Sequence, residues 1–404
     1  MAGKKVVAII GALDTKSEEF RFLKEQIESH GVGTLVIDVG VLTDPPFTPD
    51  IPASEVVKAA GEDLSALRKA ADRGQSVAAM CRGIAAVAEK LYKEGRFNGI
   101  ISMGGGAGTT VGTAAMRVLP TGVPKVMVST LASGNVQTYV DIKDITMMPA
   151  ITDIAGINRL SRQIIANAAG AIAGMVKVEL PPDTTQKPVI GATMFGVTTP
   201  CVTNCKQLLE AKGYEVIVFH AAGAGGRTLE DLTQGGLFQG VLDITTHELM
   251  DELVGGIRTA GPDRLQAAGK TGTPQLVTPG AIDMVNFGPR ETVPAKFEGR
   301  RFYPHNPKTT LMRSTKEENI ALGKIIAEKL NSAKGPTTFV LPRLGFSMID
   351  REGQPFYDPA ADAAFFESLK KHLDDKIRVV EVDAHINDPA FAERAVALLL
   401  EMIK

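Results

Sequence analysis

Eleven consecutive residues, Ile100-Ile101-Ser102-Met103-Gly104-Gly105-Gly106-Ala107-Gly108-Thr109-Thr110, join an apolar run to four glycines within five positions and then to two threonines. The apolar part reads as a buried strand, and the small residues at 111–118 read as a helix. A strand that runs through a glycine turn into a helix N-terminus aims backbone N–H groups at an anion such as phosphate. Glycine allows close backbone approach and positive φ. Thr109 and Thr110 add hydroxyl donors. No Lys-Ser/Thr follows the last glycine and the G-x-G-x-x-G interval is absent, so neither fixed-spacing phosphate pattern applies. A tight packing turn between strand and helix would use the same residue types.

Other groups reach this turn only if neighbouring elements deliver them. Residues 6–11 form a first apolar strand, followed by Asp14, Thr15 and Lys16. Thr15-x-x-Glu18 has the spacing of a capping box ahead of a helix carrying Phe20, Leu23 and Ile27. A strand at 34–39 brings Asp38, suited to a ribose hydroxyl, and a proline-rich excursion at 44–49 follows. Helices are expected at 54–72 and 75–93, the second carrying Arg82 on an otherwise apolar helix, a candidate phosphate clamp. A strand at 125–130 ends in Ser129, Thr130, Ser133 and Gly134, which offer hydroxyls and a second nest of N–H groups. Further elements are a short strand at 144–148 and an Ala/Gly-rich helix at 154–176, the latter a candidate subunit interface. Ligands of wound parallel sheets bind beyond the carboxyl ends of the strands, where these residues fall. Helix capping by Asp14 and Thr15, a solvated Lys16 and a surface Arg82 are the plain alternatives.

Residues 181–188, Pro-Pro-Asp-Thr-Thr-Gln-Lys-Pro, read as a linker, after which the pattern restarts. Domains are therefore expected at 1–180 and 189–404. The halves align as a diverged repeat. Gly11-Ala12 is set against Gly191-Ala192, Asp38 against His220, residues 97–101 against 238–242, and 124–126 against 274–276. On that register Thr245-Thr246-His247-Glu248 replaces the glycine turn. His220 and His385 end predicted strands and His305 lies in a predicted loop; with Arg343 they are candidates for acid–base chemistry, metal ligation or anion binding. Neither HExxH nor CxxC spacing occurs, and a core histidine is the plain alternative.

Composition limits the function classes. Net charge is −2, Trp is absent and aromatics make up 5%, which excludes an electrostatic footprint and stacking platform for nucleic acid. No apolar run is long enough to span a bilayer. Three cysteines give no disulfide framework and fit a reducing cytoplasm, and Cys201 with Cys205 reads as helix packing. Alternating strands and helices imply an α/β protein with two mainly parallel sheets.

Gly11-Ala12-Leu13-Asp14-Thr15-Lys16, the glycine turn, residues 127–134 and 283–288, His305-Asn306-Pro307 and Ala384-His385-Ile386-Asn387-Asp388-Pro389 together resemble one group. It is the uncharacterised bacterial and fungal family similar to the ATP-binding N-terminal region of the tomato mosaic virus resistance protein. The resemblance spans nearly the whole chain. It implies two Rossmann-like domains, a homodimer, and ATP, with Mg as a possible companion, held near the glycine turn. Threonine is usual in that family where this chain has His247, which argues against a catalytic His247. The expectation is an ATP-binding protein acting as an enzyme on a small polar or anionic metabolite held in the second domain. The alternatives are a nucleotide-stabilised binding or regulatory module, and a metal-dependent hydrolase or lyase with nucleotide as effector.

Overall fold

Val6–Gly11 (β1) forms a strand because its β-branched run is buried on both faces, the pattern of a central parallel strand. It is flanked by Gly33–Asp38 (β2) and Gly99–Gly104 (β3), and the sheet continues through Lys125–Ser129 (β4) and Thr146–Pro149 (β5). The order is β2-β1-β3-β4-β5, every pairing parallel. The period-two alternation sorts β1 between two cores. Ala8 and Ile10 pack with Val56, Ile84 and Ala115; Val7 and Ile9 pack with Phe20, Leu23 and Ile165. Winding reverses between β1 and β3, and the gap this leaves at their carboxyl ends is where such sheets take ligands. The computed structural model describes residues 4–181 and 186–403, so the linker expected at 181–188 lies partly outside the described residues. The chain divides into two compact units, one on each side of that segment.

Three local expectations differ from the structure. The Thr15–Glu18 capping box does not form: Ser17–Ser29 starts behind Lys16 with no side-chain cap, and Glu19 instead accepts the Gly156 N–H at 2.6 Å. Residues 54–72 are two helices, Ala53–Ala59 and Leu64–Ala70. Gly61 turns to φ +77° between them, and Asp63 caps the second by accepting the Ala66 N–H at 2.9 Å. The Ala/Gly-rich helix is Arg159–Met175, capped by Asn158; Ala168, Ala169 and Ala173 are buried in its own unit's core.

The second unit repeats the winding. Val189–Met194 (β6), Glu215–His220 (β7), Gly240–Thr245 (β8) and Gln275–Gly280 (β9) lead to Met284–Phe287 (β10), Phe302–Asn306 (β11) and Thr309–Arg313 (β12). Thr337–Pro342 (β13) and Arg378–Val382 (β14) complete the main sheet. Its order is β14-β13-β9-β8-β6-β7, all parallel, and β10-β12-β11 is a separate antiparallel sheet. Both units are Rossmann-like, as expected. The small sheet is not legible as alternation in the sequence, and it places His305 on β11 rather than in a loop. Strand pairing upholds Asp38 opposite His220, since Gly11 pairs with Asp38 and Met194 with His220. The same pairing corrects one match: the counterpart of Gly11 is Met194, and that of Gly191 is Ala8. Cys201 and Cys205 are buried in the β6 core, as helix packing requires.

Candidate functional site

At the β1/β3 gap the first unit opens a cleft of about 560 Å³. The turn after β1 gives Asp14, Thr15 and Lys16; the turn after β3 gives Gly104, Gly105, Gly106 and Gly108. Residues 39–42 after β2 and the helix-to-helix corner with Arg68, Asp72 and Arg73 close the other side. Val39, Val41, Leu67, Val77 and Met80 make an aliphatic wall.

The four glycines split into two roles, and none takes positive φ. A Cβ on Gly104 would lie 2.7 Å from the Gly108 Cα, and one on Gly108 would lie 3.3 Å from the Met103 carbonyl oxygen. These two let helix Gly106–Arg117 sit tightly on β3, as a packing turn does. A Cβ on Gly105 would meet nothing nearer than the Thr130 hydroxyl at 3.6 Å, and one on Gly106 nothing within 4 Å. These two expose backbone to the cleft. Intrahelical bonding starts with the Thr109 N–H to the Gly105 carbonyl at 2.8 Å. The N–H groups ahead of it have no partner within the helix.

The threonine hydroxyls are engaged elsewhere. Thr109 is buried with its hydroxyl 2.7 Å from that of Ser129, and Thr110 donates to the Gly106 carbonyl at 2.8 Å. Ser129 also accepts the Leu131 N–H at 3.0 Å, so β4 is pinned to the helix by this pair. Thr130, Ser133 and Gly134 are exposed and outside the cleft lining. Asp38 is buried; its Oδ1 accepts the Leu13 N–H at 3.1 Å and the Gly40 N–H at 2.9 Å, and burial raises its pKa. It ties the β1 and β2 turns together and lines a neighbouring 390 Å³ hollow under the proline-rich segment. Arg82 is mostly exposed and paired with Glu62, away from the cleft lining. Lys16 donates to the Ile154 carbonyl, and Asp14 accepts the Leu42 N–H at 2.8 Å. Arg68, Arg73, Asp72 and Asp153 line the cleft without having been singled out in the sequence. The corner that holds Arg68 and Arg73 is the turn at Ala71, with φ +54°, and Asp72, which caps the next helix.

The matching corner of the second unit is filled by its own side chains. Glu248 stands in the segment equivalent to the glycine turn and is fully buried. Its Oε1 accepts the Gly223 N–H at 2.6 Å and the Gly226 N–H at 3.2 Å, at the N-terminus of helix Ala224–Gln234. Arg264 donates to Glu248 at 2.7 Å and to both oxygens of Asp243 at 2.5 and 2.7 Å. A carboxylate of the chain thus caps the N-terminus of the helix that follows β7, and a side chain fills the segment that is a glycine turn in the first unit. We expect one nucleotide at most per chain rather than two; a calorimetric stoichiometry near two would contradict this.

The candidate histidines have separate surroundings. His220 is exposed and stacks on Phe195 at 5.4 Å; burial of its ring, then Arg258 and His247, lower its pKa. His247 is buried, donates through Nε2 to the Ala221 carbonyl at 2.5 Å and accepts from Asn286 Nδ2 at 3.1 Å. His385 is buried, donates through Nε2 to the Ser347 carbonyl at 2.9 Å and accepts the Asn387 N–H at 3.1 Å. Burial lowers its pKa. His305 is exposed on β11, and Arg343 is exposed with Glu381 at 3.9 Å. No hydrogen bond or ring contact joins His220, His305 and His385 to one another among the described residues. Nor, among them, is any group of three or more His, Cys, Asp or Glu placed to hold a metal ion. No described helix is long and apolar enough to cross a membrane.

Comparison with known proteins adds a family. The N-terminal domain model of the uncharacterised protein family UPF0261 matches residues 5–181, and its C-terminal domain model matches 187–403. A UPF0261 protein of Clostridium tetani is 52% identical over 99% of both chains. The tomato ToMV resistance protein Tm-1(GCR237) is 38% identical over 98% of this chain and 55% of its own length. Among solved structures, the UDP-N-acetylglucosamine 2-epimerase of Rickettsia bellii aligns at TM-score 0.24 and 12% identity, over 68% of this chain and 78% of that one.

Proposed function

The chain belongs to the UPF0261 family, and on that premise we propose that the cleft of its first unit is a nucleotide site for ATP. The observation that carries this reading is the cleft's place: it opens at the β1/β3 reversal, with the N-terminus of helix Gly106–Arg117 facing it through two glycines that have space beyond them. The unpaired N–H groups of the first helical turn and its dipole favour a phosphate there. Lys16, Arg68 and Arg73 supply positive charge around the same opening, and the aliphatic wall suits the faces of a base. Asp14, Asp72 and Asp153 are the carboxylates lining the cleft, and a Mg²⁺ carried by the phosphates would need one or two such protein oxygens. The donor set differs from that expected at the start: backbone N–H groups and Arg68/Arg73 replace the hydroxyls of Thr109, Thr110 and Ser129.

In the same proposal the nucleotide serves an enzyme whose small polar or anionic metabolite binds the second unit, where His220 and Arg343 are exposed at the ends of β7 and β13, and the chain works as a homodimer. Titration calorimetry with Mg-ATP is the direct test of the nucleotide site. Saturable binding at one site per chain, accompanied by a raised melting temperature, is expected. Absence of both heat and thermal shift at millimolar Mg-ATP overturns the reading.

A further inference from the structure

Three aspartates in the second unit converge on one guanidinium away from any surface. Asp283 comes from the turn after β9, Asp350 from the segment after β13, and Asp362 from helix Pro359–His372; Arg313 ends β12. Asp283, Asp350 and Arg313 are buried to 3% exposure or less, and Asp362 to 7%. Arg313 spreads its donors widely. Nε goes to the Phe356 carbonyl at 2.7 Å and Nη1 to the Ser314 hydroxyl at 2.8 Å, leaving Asp362 Oδ1 at 2.7 Å as the close carboxylate partner. Asp350 Oδ1 is 3.8 Å from Nη2, too long for a hydrogen bond.

The remaining oxygens are unevenly satisfied. Asp283 Oδ2 accepts the Ser347 hydroxyl at 2.8 Å, and Asp350 Oδ2 accepts the Phe346 N–H at 2.9 Å. Asp283 Oδ1 and Asp350 Oδ1 are buried with no donor at all. Three ionised carboxylates against one guanidinium would leave two uncompensated negative charges out of water, and two oxygens without partners. Asp350 Oδ1 and Asp362 Oδ1 face the same Arg313 Nη2, at 3.8 and 2.7 Å, which brings the two carboxyls together. A proton on one oxygen converts two facing acceptors into a donor–acceptor pair and removes one charge. A bound cation would meet the same need, but Arg313 stands in the cluster and no set of three ligands is placed for a metal among the described residues.

We propose that Asp350 and Asp362 share a proton in the native protein near neutral pH, that Asp283 carries a second at lower pH, and that this cluster makes the docking of helix Pro359–His372 and the β10–β12 sheet pH-dependent. His385 also faces the cluster, and burial lowers its pKa against the opposing effect of its bond to the Ser347 carbonyl. Burial, then the neighbouring Asp350, push Asp283 up to about 7 and Asp362 to about 8, and burial raises Asp350. The titration belongs to the cluster as a whole. Between the ordinary aspartate value and that range, the folded chain binds more protons than the unfolded one. Stability from the cluster is therefore greatest in acid, falls as pH rises across the window, and stops falling above it.

Infrared difference spectroscopy on the full chain tests this, because a protonated carboxyl absorbs apart from carboxylate and amide. A carboxylic-acid band is expected at neutral pH, fading as the pH is raised and weakened in Asp362→Asn, Asp350→Asn or Asp283→Asn. Melting of the parent between about pH 6 and pH 8 should fall by roughly 5 °C, and that of Asp362→Asn by less. A parent spectrum with no such band at neutral pH overturns the proposal without reference to any variant. So does a band that none of the three substitutions alters.

Discussion

Substituting Arg264 with methionine is expected to cost about 3–5 kcal/mol or more, enough to unfold the second unit at ordinary temperature. Arg264 is 1% exposed and bonds Asp243, Glu248 and Glu230 at once. Surrounding charge raises its pKa further although burial opposes that, so it does not escape the penalty by losing its proton. Without it, Asp243 and Glu248 face each other buried and unpaired, and the corner between β8 and helix Ala224–Gln234 loses its tie. Differential scanning calorimetry of the full chain should show the loss of one transition. Restoring neutrality with Asp243→Asn in the same chain should recover part of it, because the cost is that of unpaired charge rather than of lost volume. Equal melting of parent and Arg264→Met would show that the cluster contributes nothing net.

The second large effect separates the two glycine roles. Gly106→Val should leave the fold intact, since its Cβ meets open space, while its branches fill the cleft in front of the helix N-terminus. Losing two charge-assisted N–H contacts corresponds to roughly 100-fold or more in ATP affinity. Gly104→Ala should do the opposite: its Cβ is driven to 2.7 Å from the Gly108 backbone, a strain of about 1–3 kcal/mol, with affinity changed only through distortion. Paired measurements of binding heat and melting temperature distinguish them. A Gly106→Val protein that binds Mg-ATP as the parent does would remove the glycine turn from the site.

The fold was legible in the sequence because the two main sheets are parallel and their central strands are buried on both faces. Short, mostly apolar strands bounded by glycine are then the strongest pattern present, as at Ile100 to Met103. The repeat was legible for the same reason, failing only at Gly11, where a shared dipeptide outweighed the pairing register. The lining of the candidate cleft was legible in outline. Residue type located the glycine turn and Lys16, but it could not separate glycines kept for packing from glycines kept for access, which depends on what stands opposite each Cβ. Nor could it say that Thr109 and Ser129 would bond each other. Arg68 was hidden by a helix read as continuous, and Arg264 and Arg313 drew no attention because nothing local marks an arginine as buried. Their carboxylate partners lie 16 to 49 residues away, beyond any periodic pattern.

Glu248 has a bearing on how the second unit responds to its surroundings. A free anion at a helix N-terminus comes and goes with its concentration. This carboxylate is carried on a strand end of the same chain, so its local concentration is fixed by a short covalent path and cannot be diluted. Inorganic phosphate or sulfate should neither occupy that corner nor steady it. The two units therefore differ in what they can report: this helix end of the second is a permanently occupied joint, deaf to solute levels.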